Sequence, residues 1–303
     1  VTARRRNAAK EGGMQEEQNI QSDVVRFAAC DGRTLTGTLY APADSNQRCV
    51  LLNGATAVKR GYYDAYARYL AAAGFTVLTY DYRGIGDSCV RSVQQEPGTM
   101  RQWGEADTAG AIAFLTQRHP GYRLLVVGHS AGGQLFGLAA NNRQAAGMLA
   151  VSSQSGYWRY WPWPRRLGLA ALWFAVLPVL TRLCSRFPAR RLGLGSSDLP
   201  PGVAREWARW CRHPDYIVDE SGQPLRQHFK AYNGNILAYT IEDDWMAPSA
   251  AVHALLAFYA SANVETRPLA PSAFGLNALG HFGYFRRGSR ALWPAGSAWL
   301  LAQ

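Results

Sequence analysis

Leu124-Leu125-Val126-Val127-Gly128-His129-Ser130-Ala131-Gly132 joins a short apolar run to a glycine-bracketed serine, and a helix-like stretch over 134–141 follows at once. Four apolar residues closed by a glycine predict a buried strand. Strand, tight turn and helix in that order form the setting in which G-x-S-x-G holds a serine hydroxyl above a sheet edge. The glycines at 128 and 132 give the turn its room. Ser130 is the candidate nucleophile.

Working outward, residues 24–29 and 33–40 alternate around Asp31-Gly32 and predict a β-hairpin. Residues 49–53 predict a strand, 62–73 a helix ended by Gly74, 75–80 a strand, and 105–118 an amphipathic helix. Beyond the serine, 148–152 predicts a strand, and the rhythm resumes later with a strand at 236–241, a helix at 250–260, a strand at 264–269 and a closing helix at 289–301. Strands separated by helices predict an α/β fold, a mostly parallel central sheet flanked by helices on both faces. Between 155 and 230 the rhythm fails and the sequence turns aromatic, basic and proline-broken. This is expected to be an inserted helical cap, dividing the core into a first part at 23–154 and a second at 231–303.

A chain of 303 residues with 48% hydrophobic content is long enough for one large core and an excursion from it. The cysteines Cys30, Cys49, Cys89, Cys184 and Cys211 are odd in number and show no metal-ligand spacing, so a reducing compartment and no structural metal are expected. Residues 1–22 are expected to be a disordered extension; Arg4, Arg5 and Arg6 are followed by no apolar core of a signal peptide, and Met14 is a candidate start. A cytoplasmic location is the expectation, with room for peripheral contact with the inner face of the membrane. The net charge of +11 is concentrated: Arg159, Arg165, Arg166, Arg182, Arg186, Arg190 and Arg191 fall within 157–197, where there is no Asp or Glu. No helix-turn-helix, zinc-finger or RNP-like pattern accompanies it, so no nucleic-acid partner is expected.

A serine nucleophile needs a base, and the base needs a third group to hold its tautomer. Chain order Ser, Asp, His suits this architecture. Four of the six histidines follow Ser130: His213 and His228 fall in the expected cap and His253 in an expected helix. His281 stands in the loop Leu279-Gly280-His281-Phe282-Gly283 between the last strand and the last helix, where such sheets place their chemistry. The acid belongs on the turn after 236–241. Glu242, Asp243 and Asp244 all qualify; Asp244 is preferred because Pro248 lies four residues beyond it to start the next helix, and Asp243 stays open. The oxyanion donors are expected to be the backbone amides of Ala131, directly after the nucleophile, and of Ala55 in Gly54-Ala55-Thr56, unless Asn53-Gly54 is simply a turn.

With these residues in hand, the chain over 23–301 resembles an α/β-hydrolase. Tyr80-Asp81-Tyr82-Arg83-Gly84-Ile85-Gly86-Asp87-Ser88 is similar to a loop that often follows the fourth strand in that superfamily. Leu52-Asn53-Gly54-Ala55-Thr56, Ser153-Gln154-Ser155-Gly156-Tyr157-Trp158 and Trp207-Ala208-Arg209-Trp210-Cys211 resemble a bacterial group of α/β-hydrolases of unassigned substrate. The chain departs from many esterases of the superfamily in carrying Asn53-Gly54 where they have His-Gly. The resemblance implies a serine hydrolase acting through an acyl-enzyme on a small-molecule carboxylic ester, with no cofactor. A serine in place of an aspartate nucleophile speaks against haloalkane dehalogenase and epoxide hydrolase chemistry. A peptidase or amidase, an acyltransferase and a non-catalytic lipid-binding module remain open.

Residues 167–180 are almost wholly apolar and are interrupted by Pro178, a run too short to span a bilayer, which needs about 20 such residues. Trp158, Trp161, Trp163, Trp173, Trp207 and Trp210 lie in or beside this region. Two readings stand: the cap covers Ser130 with an apolar acyl-binding wall while its basic flanks meet anionic lipid, or the aromatics pack the cap onto the core.

Overall fold

Apolar residues in succession along the strands send side chains to alternate faces of one sheet, so the core forms as two layers. The computed structural model describes residues 20–184 and 186–303. Of the extension expected at 1–22, residues 1–19 lie outside the described residues, and β1 (Gln21–Ala28) already begins at Gln21. β2 (Thr34–Ala41), β3 (Arg48–Asn53), β4 (Thr76–Tyr80), β5 (Arg123–His129), β6 (Ala145–Val151), β7 (Asn235–Ile241) and β8 (Asn263–Leu269) complete an eight-stranded sheet. The strand order is β1-β2-β4-β3-β5-β6-β7-β8. The hairpin pair β1/β2 and the pair β2/β4 are antiparallel, and the remaining pairs are parallel.

On one face Val50, Leu52, Val77, Leu125 and Val127 pack against α1 (Asp64–Ala72) and the closing helix through Tyr66, Leu70, Trp293 and Leu300. On the other, Leu51, Leu78, Val126 and Met148 meet α2 (100–118), α3 (Ala131–Phe136) and a helix at Ser249–Leu256. α2 starts five residues earlier than the apolar pattern predicts. A reciprocal cap explains this: Thr99 Oγ1 accepts from the Gln102 N–H at 3.3 Å, and the Gln102 side chain accepts from the Thr99 N–H at 3.0 Å. α3 likewise begins at Ala131, directly behind the serine, rather than at 134, and ends at Gly137 against the Phe229 ring.

Between β6 and β7 the chain leaves the sheet and forms α4 (Arg165–Leu183), α5 (Pro201–Arg212) and α6 (Gln227–Ala231) before returning. The helices at Ser249–Leu256 and Trp293–Ala302 are then α7 and α8. Trp173, Leu177, Val203 and Trp210 of this connection belong to the same apolar cluster as Leu135 and Phe136. One expectation is corrected here. The apolar run is not a broken 14-residue segment; α4 is a continuous helix of 19 residues, long and apolar enough by length and composition to cross a membrane. Pro178 does not break it. The wider π turn at Leu172–Val176, immediately upstream, opens the backbone ladder where the proline ring would otherwise meet the carbonyl of residue 174.

The chain passes from β3 to β4 on one side and then returns to place β5 on the other side of β3. The loops leaving the carboxyl ends of β3 and β5 therefore diverge, and a crevice opens between them. Thr56 and Ser130 both face it.

Candidate active site

Ser130 sits at φ 51° and ψ −114°, a sparsely populated conformation for a residue with a Cβ, at a cost of about 1–3 kcal/mol. Its surroundings enforce that geometry. The Ser130 N–H donates to the Val151 carbonyl at 3.0 Å. A Cβ at position 132 would lie 2.1 Å from the Asn53 carbonyl oxygen, and one at 128 would lie 2.7 Å from the Gly133 nitrogen, so both flanking glycines are required by close approach. Asn53 is buried and bonded at both ends of its amide: Oδ1 accepts from Tyr80 O–H at 2.9 Å and Nδ2 donates to the Gly132 carbonyl at 3.4 Å. The asparagine that replaces the usual histidine thus ties the end of β3 to the start of α3.

Loops after β7 and β8 bring the other two groups to Ser130. Asp244 Oδ2 lies 2.8 Å from His281 Nδ1, and His281 Nε2 lies 2.9 Å from Ser130 Oγ. A carboxylate only accepts, so Nδ1 carries the proton and Nε2 is left to accept from the serine hydroxyl. The second oxygen of Asp244 accepts from the amides of Met246 at 2.9 Å and Ala247 at 3.2 Å. Burial by itself would raise the Asp244 carboxyl; the hydrogen bond and charge of His281, with further donors, outweigh it and hold the group below its ordinary value. Asp243 has a separate task. Its two oxygens accept from the amides of Leu279 at 2.8 Å and Gly280 at 2.9 Å, clasping the loop that presents His281.

The Ala55 amide is not free to face Ser130, which corrects the expectation for that residue. It donates to Tyr63 Oη at 2.7 Å, an acceptor supplied from just ahead of α1. The chain of bonds continues: Tyr63 Oη lies 2.9 Å from His129 Nδ1, and His129 Nε2 lies 2.9 Å from the backbone carbonyl of His281. That carbonyl can only accept, so the Nε2 proton is fixed and Nδ1 accepts from the tyrosine. Burial, then the neighbouring His281, push the His129 imidazole down to about 3, which keeps it neutral. Tyr62 O–H adds a bond to the Phe282 carbonyl. The loop is therefore held through the carbonyls of residues 281 and 282 from the α1 side and through the amides of residues 279 and 280 by Asp243 from the β7 side.

Asp81, Arg83 and Ser88 in the loop after β4 act as a buttress. Arg60 pairs with Asp81, Arg83 pairs with Asp107 at 2.6 Å and Asp31 at 2.7 Å, and Ser88 Oγ accepts from the Thr36 N–H at 2.8 Å.

Ser130 opens into a cavity of about 80 Å³. Its walls come from Thr56 on the sheet side and from Trp161, Leu169, Trp173 and Trp207 of the connection. Among the described residues no Asp, Glu, Lys or Arg lines it. Trp161 Nε1 donates to the Trp245 carbonyl at 2.8 Å, which fastens the connection to the turn carrying Asp244.

The sheet order, the strained serine and the converging loops are those of the α/β-hydrolase fold. The chain belongs to the family described as serine aminopeptidase, S33, whose model matches residues 43–217, more than half of it, and it is a hydrolase. It is similar in structure to an esterase of Pyrococcus furiosus, with a TM-score of 0.61 and 12% identity over 93% of this chain and 91% of that one. An α/β hydrolase, GrgF from Penicillium, gives 0.59 at 15% identity over 92% and 98%. Brefeldin A esterase, a bacterial homologue of human hormone-sensitive lipase, gives 0.59 at 15% identity over 94% and 77%. At such identities the likeness shows the fold alone. No curated protein matches the chain.

Proposed function

We propose that the protein is a serine carboxylic ester hydrolase. The observation that carries this is the uninterrupted chain from Asp244 through His281 to Ser130 Oγ, with both links at hydrogen-bond length. Ser130 Oγ attacks the ester carbonyl as His281 Nε2 takes its proton. His281 then protonates the departing alcohol, and a water activated by the same imidazole releases the acid from the acyl-serine. Asp244 holds the tautomer and stabilises the imidazolium.

The developing oxyanion needs donors aimed at it, each worth about 2.7–4 kcal/mol in the transition state. The Ala131 amide, in the first turn of α3, is one. The second is assigned to the Thr56 amide, because Thr56 lines the cavity with Ser130 while the Ala55 amide is bonded to Tyr63.

The family description names aminopeptidases, yet an ester is favoured. A free amino terminus calls for a carboxylate beside the scissile bond, and none of the described residues in the walls of the Ser130 cavity supplies one. Their aromatic and leucine side chains suit an apolar acyl group. The cavity is narrow, about 80 Å³ with the connection as it stands, which favours a short acyl group over a long one.

Fluorophosphonate labelling read by intact mass, on wild type and Ser130→Ala in parallel, is the test. One adduct on the wild type that is absent from the variant is expected, followed by turnover of p-nitrophenyl acetate or butyrate ahead of long-chain esters. No adduct on folded wild-type protein would overturn the reading.

A further inference from the structure

α4 is apolar on all sides, and only one side is covered. Trp173, Leu177 and Thr181 are its buried residues, and Leu169, Leu172 and Trp173 wall the Ser130 cavity. The opposite side leaves Leu167 50%, Phe174 54%, Val179 49% and Leu183 78% exposed. Helical spacing places 167, 171, 174/175 and 178/179 along one stripe, so the exposed residues form a continuous strip and not scattered points. Trp163, 71% exposed, extends it beyond the amino end of the helix, and Leu192, 46% exposed, lies beyond the other end. Water is a poor medium for such a strip, and strips of this kind mark contact with an apolar partner.

Charge identifies the partner. Arg165 and Arg166 stand at the amino end of α4 and Arg182 at its carboxyl end, with Arg190 and Arg191 in the segment that follows. No acid occurs from 157 to 197, and the nearest following one, Asp198, is paired with Arg186 at 3.2 Å. An apolar strip framed by arginines at both ends matches the two layers of an anionic lipid surface, acyl chains within and phosphates at the rim. We infer that the outer side of α4 docks flat on an anionic phospholipid bilayer.

A transmembrane course is disfavoured by the same helix. Spanning would draw Trp173 and Leu177 out of the core and Leu169 off the cavity wall, and both ends of the connection return to adjacent strands of one sheet. Lying flat costs none of those contacts. The inner side of α4 meets the substrate cavity while its outer side meets lipid, so docking sets the cavity wall directly beneath the membrane surface.

Docking is independent of the chemistry, and the test keeps the two apart by using full-length protein carrying Ser130→Ala. Flotation with phosphatidylcholine vesicles, with and without phosphatidylglycerol, reads it. Binding to the anionic vesicles at low salt is expected, with little to the neutral ones. Exchanging the exposed Leu167, Val179 and Leu183 for Glu is expected to lower partitioning at least tenfold. Arg182→Gln, Arg190→Gln and Arg191→Gln are expected to lower it about fivefold each, the equivalent of about 1 kcal/mol per basic side chain. These variants are expected to keep the circular-dichroism spectrum and thermal midpoint of their Ser130→Ala parent, which shows that they fold. Three results would overturn the proposal: no flotation with anionic vesicles at low salt, resistance to alkaline carbonate extraction as for a spanning helix, or a lipid-free dimer abolished by the three Glu exchanges, which would give the strip to a second copy of the chain.

Discussion

On the sheet side of the cavity, Ser130, His281 and Asp244 are 7%, 6% and 4% exposed, and every polar side-chain atom of the three has a partner. On the connection side, α4 holds the cavity wall with one face and leaves a wide apolar strip in the open. Hydrogen bonds with fixed direction build the first region and non-directional packing builds the second. Directional bonds give a single geometry, which proton transfer over less than 3 Å requires. Packing along one face of a helix tolerates displacement, which a wall that must admit a substrate requires.

The largest effect that would separate the two regions comes from Ser130→Ala. A loss of about 10⁶ in kcat is expected for ester turnover, with the thermal midpoint close to that of the wild type. A variant that keeps more than a small fraction of activity would remove the serine from the chemistry. Next is the pair of neighbouring acids. Asp244→Asn leaves the loop geometry but presents the wrong partner to His281 Nδ1, and a loss of about 10⁴ in kcat is expected. Asp243→Asn touches only the amides of Leu279 and Gly280 and is expected to cost far less. The reverse order in steady-state kinetics would exchange their roles.

A smaller effect tests the bonds behind His281. Tyr63→Phe removes the acceptor of the Ala55 N–H and the donor to His129 in one atom. Leaving buried groups unpaired costs about 1–3 kcal/mol in urea unfolding. With the histidine loop less firmly held, kcat is expected to fall about tenfold while the KM for a short ester is largely kept. A fall in stability without any change in kcat would make the tyrosine a structural residue only.

Much of this site was legible because its chemistry rests on local sequence. The glycines around Ser130, the glycine-flanked His281 and the acid at the end of β7 each announce themselves within a few residues, and the strand and helix rhythm orders them. Tyr63 and Asp243 were not legible as holders of the histidine loop, since their partners lie 66 and 36 residues away and neither spacing reflects a local rule. His129 stood inside the motif and still gave no sign, because its role depends on a backbone carbonyl 152 residues distant. The expectation at Ala55 fails for the same reason: its amide is taken up by a phenol arriving from another element. For α4, the extent of the helix was missed because proline was read as a break, and the π turn that accommodates it has no sequence signature of its own.

The smallest expected effect is one of pH, and it belongs to the sheet side alone. His129 is held neutral when folded, with its pKa pushed down to about 3, against an ordinary value of about 6.5 once unfolded. Between those values the unfolded chain binds one proton that the folded chain does not, so stability rises with pH through that window and is lost as pH falls. The limiting slope is about 1.4 kcal/mol per pH unit for one proton. His129→Gln removes the titrating ring and keeps an amide donor near the His281 carbonyl. Urea unfolding of both proteins at about pH 5 and 6 is expected to give a steeper rise for the wild type, by an amount approaching that limit. The arginines flanking α4 stay charged throughout, so replacing Arg182, Arg190 and Arg191 is expected to leave the wild-type slope in place. Parallel pH profiles for wild type and His129→Gln would mean that His129 is not held neutral beneath His281, and the bonded chain from Ala55 to the histidine loop would lose its central link.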